Sequence, residues 1–511
     1  MTTALANCGG KAVGRAGTDQ PSVRRLTISV ERPAVAPIST DRTAGVGWQF
    51  GIPTQGASVG IHLSEPLLLG RGTLILITGP SGSGKSTILA EIERQVAGAS
   101  LVHRIRFPAG QAVIDAVAPR GTLAESIQLL TRSGLSEPRL WLRTFGALSE
   151  GERFRARLAR ALSDHKFMGS AAPILCDEFG SNLHRRLAHA LAFQLRKVTD
   201  ALGLCVVVAC HNEGIACDLS PDVVVRLSRT GSGRVSAGRG NRSSWMSLRP
   251  SLRIEPGRKK DYAAFGMMHY RRTDELGFVH KVFVLREGQD GPLLGVVVYA
   301  FGPLELALRN HATRGRFAGR PDRLNRSMRI LRRLVIHPDV RGCGLGHWLV
   351  RKTLPMVGTP YVECLASMGA VMPVFERAGM CRIGRVAGSA RQVAAAQTLK
   401  RIGVDPLASE FPLAVARDRR VRLVVMDVVR RWYATTTGGG EHRVWRQTPA
   451  FLARAFRGLI GMRPVYYLWH RDASVRFEPV VQGVVNKLSA LGRRQQEDSV
   501  NDERFPCIKH D

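Results

Sequence analysis

A glycine-rich segment with one lysine and several hydroxyl residues, GPSGSGKST, occupies residues 79–87. It fits the pattern G-x-x-x-x-G-K-[ST], follows the apolar run TLILIT and precedes a helical pattern. In that setting glycine amides close around a phosphate, and the helix N-terminus adds partial positive charge. Lys85 would neutralise phosphate oxygens, and Ser86 would ligate Mg²⁺. The predicted phosphate site comprises Gly79, Pro80, Ser81, Gly82, Ser83, Gly84, Lys85, Ser86 and Thr87.

Three later segments carry groups that suit the hydrolysis of a phosphoanhydride. The apolar run PILC ends in Asp177 and Glu178. Asp177 could complete a Mg²⁺ shell, and Glu178 could orient or deprotonate an attacking water. His211 follows the run CVVVAC, 33 residues after Glu178, where it could sense a terminal phosphate. The segment LSEGE at 148–152 precedes an amphipathic helical pattern, RFRARLARAL.

Taken in this order, the four motifs resemble those of the ABC-type ATPases over residues 79–228. The resemblance implies that the chain binds ATP and Mg²⁺, with Glu178 and His211 serving hydrolysis. It also implies a homodimer in which Ser149 and Gly151 of one copy face the γ-phosphate held by the other. Such a dimer is closed by ATP and opened by hydrolysis.

The chain departs from that family at several positions. Only 69 residues separate the start of the phosphate loop from LSEGE, which is short for a transporter ATPase. We assign no role to Gln111, the nearest candidate for the family's glutamine loop. His184 stands where the family usually has Asp, so communication across the dimer is in doubt. Trp48 or Phe50 is the candidate for stacking on adenine.

A second glycine-rich turn follows the apolar run RRLVIHP. It fits R-x-x-G-x-G and precedes the helical pattern HWLVRKTLPM. Amides at this helix N-terminus would again face phosphate groups, here those of a pyrophosphate. The predicted binding residues are Val335, Ile336, Arg341, Gly342, Cys343, Gly344, Leu345 and Gly346.

Together with FERAGM at 375–380, this region resembles the GNAT acetyltransferases. The resemblance implies acetyl-CoA or a related acyl-CoA, with its pyrophosphate on the loop at 341–346. The order of the two regions is similar to that of ABC-type ATPases fused to a predicted acetyltransferase domain. Phe375 stands where many GNAT enzymes have a Tyr that protonates the departing CoA thiolate. A distant likeness to the phage Mom-type DNA-modifying enzymes favours a nucleobase as acceptor.

Phe375 cannot donate a proton, so acyl transfer needs another acid, or water, and a base for the acceptor. The proton donors considered are His269, Tyr270, Cys364 and Ser367. The bases considered are His337, Glu363 and again His269. The residues by themselves leave these alternatives open, because a lone His or Ser in a strand is more often structural.

These motifs predict an α/β protein with a P-loop ABC-type ATPase domain followed by a GNAT-type α/β acyltransferase domain. Alternating strand and helix patterns place the two domains at 46–228 and 262–390, joined by a Gly, Ser and Arg-rich linker at 229–261. The remaining predictions are a flexible basic arm at 1–45 with one possible strand (RLTISVER), a helical C-terminal extension at 391–475 and a disordered tail at 476–511.

The charge balance predicts a polyanionic partner. Among 511 residues, 74 Lys and Arg face 41 Asp and Glu, a net charge of +33 that favours backbone contacts to DNA or RNA. Residues 309–352 alone hold twelve basic and two acidic residues, which predicts either a phosphate-tracking surface or a solvated loop.

The cysteines and the hydropathy pattern bear on the compartment. Nine cysteines without a CxxC pair favour reduced thiols in the cytoplasm, and the loose group Cys205, Cys210 and Cys217 lacks metal-ligand spacing. The sequence contains no run of 18 apolar residues, so it predicts no membrane span.

Three functions are consistent with these features. The first is an ATP-driven enzyme that transfers an acyl group to nucleic acid or to a target bound to it. The second is a protein or small-molecule acetyltransferase that the ATPase regulates. The third is a non-catalytic domain that senses acyl-CoA and gates an ABC switch, which the absence of Tyr at position 375 would explain.

Overall fold

The computed structural model divides into two units. It describes residues 23–32, 38–52, 59–238, 242–266, 268, 276–385, 390–408, 410–437, 444–461 and 464–480. The first unit comprises Met1–Pro250 together with Pro338–Cys343, and the second comprises Ser251–His337 and Gly344–Asp511. The predicted second glycine turn is therefore split, since residues up to Cys343 group with the first unit.

Ten strands belong to the first unit. They are β1 (Arg24–Leu26), β2 (Ser29–Arg32), β3 (Val59–Leu63), β4 (Leu67–Leu69), β5 (Leu74–Thr78), β6 (Ser100–Leu101), β7 (Pro173–Cys176), β8 (Cys205–Cys210), β9 (Val223–Leu227) and β10 (Ser232–Ala237). Eight of them form one sheet in the order β2-β3-β10-β9-β5-β8-β7-β6, and β1 pairs with β4 separately. Strands β9, β5, β8, β7 and β6 are parallel, and every residue of β5, β7 and β8 is buried.

The helices of the first unit are α1 (Asp41–Phe50), α2 (Lys85–Gln95), α3 (Val113–Val117), α4 (Leu123–Arg132), α5 (Pro138–Trp141), α6 (Glu150–Met168), α7 (Arg185–Leu202) and α8 (Ala216–Leu219). Ile88, Leu89 and Ile92 of α2 pack in one apolar core with Ile75 and Ile77 of β5. This packing fixes the start of α2 at the end of β5, because the two elements share the core on either side of the glycine loop.

Two boundary predictions are wrong in this unit. Residues 24–32, expected within a flexible arm, form β1 and β2, where buried Leu26 and Ile28 join the core. Residues 232–237, expected in the linker, form β10, which pairs antiparallel with β9. The Gly, Ser and Arg content of residues 232–237 hides the alternation that a strand with one buried face shows, although β10 lies between β3 and β9 in the sheet.

The second unit holds one seven-stranded sheet. Its strands are β11 (Leu252–Gly257), β12 (Val279–Glu287), β13 (Leu293–Ala300), β14 (Met328–Ile336), β15 (Tyr361–Ala366), β16 (Cys381–Arg385) and β17 (Val465–His470). Their order is β11-β12-β13-β14-β15-β17-β16. All neighbours are antiparallel except β14 and β15, which are parallel.

The parallel pair is short. Its register runs from Met328 opposite Tyr361 to Leu331 opposite Cys364, whereas β14 continues to Ile336. The later half of β14 keeps its pairing with β13. The parallel ladder between β14 and β15 therefore ends before the carboxyl end of β14.

The helices of the second unit are α9 (Lys259–Gly266), α10 (Ala307–Ala312), α11 (Pro321–Ser327), α12 (Leu345–Thr353), α13 (Val374–Arg377), α14 (Ala390–Arg401), α15 (Phe411–Arg417), α16 (Arg419–Thr437) and α17 (Pro449–Ile460). Helices α14 to α17 bury a separate apolar cluster that includes Phe411, Val425 and Phe456. They form an insertion between β16 and β17.

The prediction of a helical extension at 391–475 is wrong at its end. The segment VYYLWH forms β17, which lies between β15 and β16 in the sheet. Val465, Tyr466, Tyr467 and Leu468 are all fully buried. A continuous aromatic and β-branched run is typical of a central strand, but the 79 residues that separate it from β16 obscure its partner.

The central position of β17 predicts the response to truncation of its side chains. Leu468→Ala should lower the free energy of unfolding of the second unit by roughly 2–5 kcal/mol, because the site is enclosed and leaves a cavity. Leu423→Ala on α16, where the side chain is half exposed, is the matched control and should change it by less than about 0.5 kcal/mol. Denaturant unfolding measures both, and equal effects would contradict a central β17.

Candidate functional site

The first glycine loop adopts the backbone shape that a phosphate cradle needs. Gly79, Gly82 and Gly84 have φ values of 154°, 79° and 99°, which disfavour any side chain. A Cβ on Gly84 would lie 2.2 Å from Cδ1 of Ile61, so this position also excludes a side chain by contact. The loop connects β5 to α2, as the sequence predicts.

Two side chains of the loop show how it would receive an anion. Lys85 Nζ donates to the carbonyl oxygens of Gly79 and Pro80, at 2.8 and 2.7 Å. The Oγ of Ser83 is buried and has no hydrogen-bond partner among the described residues. A buried hydroxyl without a partner is unfavourable, so the loop fits a ligand that supplies acceptor oxygens.

The parallel strands bring the other predicted hydrolytic residues to the same edge. Thr78 pairs with Cys210 and Cys176 with Val208, so residues 79, 177 and 211 all follow the carboxyl ends of adjacent strands. Glu178 has φ 46°, a rare conformation for a non-glycine residue. Its amide donates to Asp177 Oδ1 at 2.9 Å, and its carbonyl accepts from Ser181 Oγ at 2.8 Å. The exposed Glu178 carboxylate is thus held in a defined turn.

The segment LSEGE begins helix α6. Ser149 N donates to Glu152 Oε2 at 2.8 Å, which caps the helix start. A Cβ on Gly151 would lie 3.0 Å from the carbonyl oxygen of Asn182, in the turn after Glu178. Phe154 of α6 also meets Phe179 edge to face, with ring centroids 5.9 Å apart. The start of α6 is therefore packed onto the segment that carries Asp177 and Glu178.

A buried arginine ties α6 to the preceding helices. Arg155 donates from Nε to the carbonyl of Gly151 at 3.0 Å and from Nη1 to that of Gly134 at 2.7 Å. Burial lowers the pKa of Arg155, although Glu152 and other acids oppose this. No sequence motif predicts this contact, because Gly134 lies in a turn between two helices.

The residues at which the chain departs from the ABC pattern are exposed. His184 is the N-cap of α7, without a side-chain capping bond. Trp48 and Phe50 lie on α1 with 88% and 74% of their surface exposed. Gln111 is exposed and precedes the bridge between Ala112 and Thr144. Exposed aromatic side chains on α1 are compatible with stacking on a base, and their role stays a prediction.

The first half of the second glycine loop is packed within the first unit. Arg341 Nη1 donates to the carbonyl of Ser136 at 2.9 Å, and Ser136 Oγ donates to that of Pro338 at 3.2 Å. Burial lowers the pKa of Arg341 and raises that of Cys343 to about 12. A Cβ on Gly342 would lie 2.5 Å from Nε2 of Gln194 on α7. Arg341, Gly342 and Cys343 therefore contact protein groups in this structure.

The second half of that loop opens helix α12. Gly344 has φ 88° and is the N-cap, and Leu345 and Gly346 form the first turn. The amides of a first helical turn have no partner inside the helix. Val335 and Ile336 lie in the part of β14 that extends beyond its pairing with β15.

The candidates for acyl-transfer chemistry are dispersed. His269 and Tyr270 lie outside the described residues. The His337 amide continues the ladder by donating to Leu294 O at 2.8 Å, and Ser367 lies in the turn after β15. Cys364 is buried in β15, and burial, with the nearby Glu363 carboxylate, raises its pKa.

Glu363 proves to be structural, so its prediction as a base is wrong. Its carboxylate accepts from Arg309 Nε at 2.9 Å, from Arg309 Nη2 at 2.7 Å and from the hydroxyl of Tyr466 at 2.8 Å. The side chains of Glu363 and Arg309 are 1% and 0% exposed. A carboxylate paired in this way cannot accept a substrate proton without losing an enclosed ion pair.

The predicted basic surface at 309–352 has fewer available charges than the sequence suggests, because some of its arginines are buried and bonded to protein groups. Arg309, Arg329 and Arg341 are three of its twelve basic residues; Arg309 and Arg329 are buried, Arg341 is half-buried, and all three donate to backbone carbonyls. Arg329 also lies over the ring of Phe301 at 4.0 Å. Charge counting along the chain cannot separate such interior arginines from surface ones.

One residue that the sequence analysis missed lies beside Phe375. The rings of Phe375 and Tyr467 are 5.4 Å apart, and the Tyr467 hydroxyl donates to Glu376 Oε1 at 2.9 Å. Burial, together with the Glu376 carboxylate, raises the pKa of Tyr467. Tyr467 is opposite Cys364, in the register where β14 and β15 cease to pair. Only the assignment of VYYLWH as a strand of this sheet could have revealed it.

The comparisons with known proteins bear on the first unit. No family model matches the chain. The tylosin resistance ATP-binding protein TlrC of Streptomyces fradiae is 30% identical over 220 residues, which are 39% of this chain and 38% of that protein. The lipoprotein-releasing system ATP-binding protein LolD of Oleidesulfovibrio alaskensis is 28% identical over 211 residues. These residues are 34% of this chain and 86% of that protein.

Other similar proteins also match only part of the chain. The Fe(3+) ions import ATP-binding protein FbpC of Streptomyces avermitilis is 29% identical, with 31% of this chain and 54% of that protein covered. The dimeric structure of MJ0796, a bacterial ABC transporter cassette, aligns to 43% of this chain and 100% of its own with 19% identity and a TM-score of 0.31. The chain spans between about a third and a half of the lengths of TlrC and FbpC.

These similarities support one statement about the chain. About 40% of its length is similar to ABC-type ATP-binding proteins, in agreement with the sequence motifs. Within the part of the chain that the structure describes, no helix has the length and apolarity to cross a membrane.

The buried ion pair in the second unit yields a prediction about stability. Glu363→Gln should lower the free energy of unfolding by roughly 3–5 kcal/mol, because it leaves the Arg309 guanidinium charged in the interior. Glu478→Gln removes a carboxylate from a second Arg–Glu pair, with Arg314, in which both side chains are 80% exposed. This control should change stability by less than about 1 kcal/mol. Comparable losses in the two variants would show that the Glu363 pair is not enclosed.

Proposed function

We propose that the chain is an ATP-driven modification enzyme. Its first unit hydrolyses ATP as a homodimer, and its second unit transfers an acyl group from an acyl-CoA to nucleic acid or to a target bound to it. The observation that carries the first part is the convergence of the glycine loop, Asp177, Glu178 and His211 at one edge of the parallel sheet.

In this proposal each group at that edge has one task. Residues Gly79 to Thr87 hold the phosphates, and Lys85 exchanges its carbonyl partners for β- and γ-phosphate oxygens. Ser86 and Asp177 hold Mg²⁺, Glu178 orients the attacking water and His211 contacts the γ-phosphate. Ser149 and Gly151 act on the ATP of the second copy. The buried Ser83 hydroxyl supports an anion in the loop, since a phosphate would supply its missing partner.

The ATPase assignment predicts a trapped state. Glu178→Gln should bind ATP, lose at least about 10²-fold in turnover and form a dimer that ATP stabilises, because hydrolysis no longer opens it. Sizing by light scattering with and without ATP, together with phosphate release, measures this. The double variant Glu178→Gln, Lys85→Ala is the control and should stay monomeric. A Glu178→Gln protein that binds ATP yet never dimerises would contradict the proposed sandwich.

The acyl-transfer part rests on the second sheet and its glycine loop. The sheet is mixed, with a single parallel pair that ends at Leu331 and Cys364, and α12 begins at Gly344 after β14. This arrangement supports an acyl-CoA whose pantetheine chain runs beside the part of β14 that extends beyond its ladder with β15, near Val335 and Ile336. Its pyrophosphate would meet the first-turn amides of α12, at Leu345 and Gly346.

Tyr467 is the proton donor that we propose for the CoA thiolate. Its ring lies beside Phe375, where the resemblance leads one to expect the tyrosine. The Glu376 carboxylate, which accepts from the hydroxyl, helps to keep it protonated at neutral pH. Transfer breaks the thioester C–S bond, forms a bond between the acyl carbon and the acceptor nitrogen, moves the phenolic proton to sulfur and releases the proton of the acceptor nitrogen to solvent. A proton from solvent then restores the phenol.

Nucleic acid is the proposed acceptor or carrier because of charge. A net charge of +33 draws a polyanion to the chain even though two arginines of the 309–352 segment, Arg309 and Arg329, are interior. Contacts of this kind are to the backbone, so binding should weaken steeply with salt and depend little on base sequence.

The combined proposal predicts acyl transfer that requires polynucleotide. Incubation with ATP, labelled acetyl-CoA and either duplex DNA, single-stranded DNA or tRNA should transfer label to one of these or to a protein bound to it. Mass spectrometry of the nucleosides and of the protein fraction identifies the product. Transfer that proceeds equally without polynucleotide would instead support a protein or small-molecule acetyltransferase, and no transfer to any acceptor would support a non-catalytic sensor.

A variant tests the chemistry in the same assay. Tyr467→Phe should lower kcat by roughly 10²-fold with little change in the KM for acetyl-CoA, because general-acid catalysis is lost while binding remains. Tyr433→Phe, in the helical insertion, is the matched control and should behave as the unaltered protein. Unchanged kcat in Tyr467→Phe would exclude Tyr467 as the donor.

A further inference from the structure

A cluster of three different ligand types in the first unit comprises residues to which the proposed function assigns no role. His189 is on α7, and Cys217 and Asp218 are on α8. One ligand atom from each residue lies within 4.8 Å of the other two. The residues are 28 and 29 positions apart in sequence, so no spacing rule in the sequence points to them.

The contacts fix each potential ligand. His189 Nδ1 lies 2.7 Å from Asp218 Oδ2, and Cys217 Sγ lies 3.7 Å from the same oxygen. The side chains of His189 and Asp218 are nearly enclosed, whereas Cys217 is exposed. The site therefore has an interior pair that is held in place and an open side through which an ion and a water could enter.

A fourth residue, Ser247, hydrogen-bonds to the carboxylate of Asp218. Ser247 donates to Asp218 twice, from its amide to Oδ1 at 2.7 Å and from its hydroxyl to Oδ2 at 2.6 Å. Hydrogen bonds of this kind orient metal-binding carboxylates and hold them in place when the ion is absent. An ion pair between His189 and Asp218 alone would need neither the neighbouring thiol nor two further donors.

We propose that His189, Cys217 and Asp218 bind a zinc ion. Nitrogen, thiolate sulfur and carboxylate oxygen are the ligands that Zn²⁺ prefers, and three protein ligands with one open position form a common arrangement. Around tetrahedral Zn²⁺ the nitrogen and oxygen would be roughly 3.3 Å apart, so the observed 2.7 Å requires a small opening of the pair. Binding releases the thiol proton, and any hydrogen-bond proton between His189 Nδ1 and Asp218 has to leave that position.

The position of the cluster gives the ion a structural consequence. Helix α8 follows His211 after a short 3₁₀ turn, Glu213–Ile215, and Cys217 Sγ donates to the carbonyl of Gly214 in that turn. Helix α7 follows the segment that carries Asp177 and Glu178. A bound ion would fasten the segment after His211 to α7, and amide exchange at 212–219 would slow.

The test is a metal titration of the full chain without a polyhistidine tag, after removal of metals with a chelator. Zn²⁺ in competition with a chromophoric chelator should show one tight site per chain. Co²⁺ should give a sulfur-to-metal charge-transfer band in the near ultraviolet. Cys217→Ser should abolish that band and weaken Zn²⁺ binding at least about tenfold. The exposed position of Cys217 means that this variant keeps the fold.

Two further variants separate the site from adventitious binding. Cys381→Ser removes another thiol, partly exposed and in the second unit, and should leave the band and the affinity unchanged. His189→Gln should weaken Zn²⁺ binding as Cys217→Ser does. Absence of a stoichiometric site, or equal binding by Cys217→Ser and Cys381→Ser, overturns the proposal. The titration needs neither nucleotide nor acyl-CoA, so its outcome is independent of the proposed function.

Discussion

The parallel pairing of β7, β8 and β5 is the constraint on which the nucleotide site depends. Strands that run in one direction end at the same edge, so a single register, with Cys176 opposite Val208 and Cys210 opposite Thr78, brings three distant chain segments together. Their continuous burial makes a slip costly, because every residue faces a packed layer. The groups proposed for hydrolysis can therefore lie at the surface, since the strands beneath them supply the positioning.

The start of α6 also helps to hold the segments at this edge in place. Gly151 approaches the turn after Glu178 closely, and Arg155 links the same helix start to the turn at Gly134. Movement of one of these segments is thereby coupled to the others through contacts that tolerate little change. The loop from Pro338 to Cys343 joins this set, since Arg341 binds the carbonyl of Ser136, two residues beyond Gly134. In the second unit, the equivalent anchor is the enclosed Arg309–Glu363 pair with Tyr466, which joins β15 to β17.

Sequence reasoning succeeded where a local pattern coincides with a local structure. The run at 74–78, the glycine loop and the helix from Lys85 follow directly from apolar periodicity and from the glycine and lysine spacing. It failed where the deciding partner is remote. Strand β17 is separated from β16 by a four-helix insertion, and β10 is polar on its open face. The local sequence of either strand therefore does not show which sheet it joins. The same limit hid Tyr467 and the cluster of His189, Cys217 and Asp218, whose members lie on different elements.

The sequence by itself determined which groups line the first glycine loop. The glycines with positive φ, the lysine and the hydroxyl residues all come from one short segment, so their spacing in the sequence sets their arrangement. It also determined that the chain is strongly basic. Only the tertiary structure decided which charged groups remain available. Glu363 and Arg309 neutralise each other in the interior, and Arg341 lies against a carbonyl of the first unit. Burial and pairing arise from contacts between residues far apart in the chain, and these contacts decide whether a carboxylate or a guanidinium can act on a ligand.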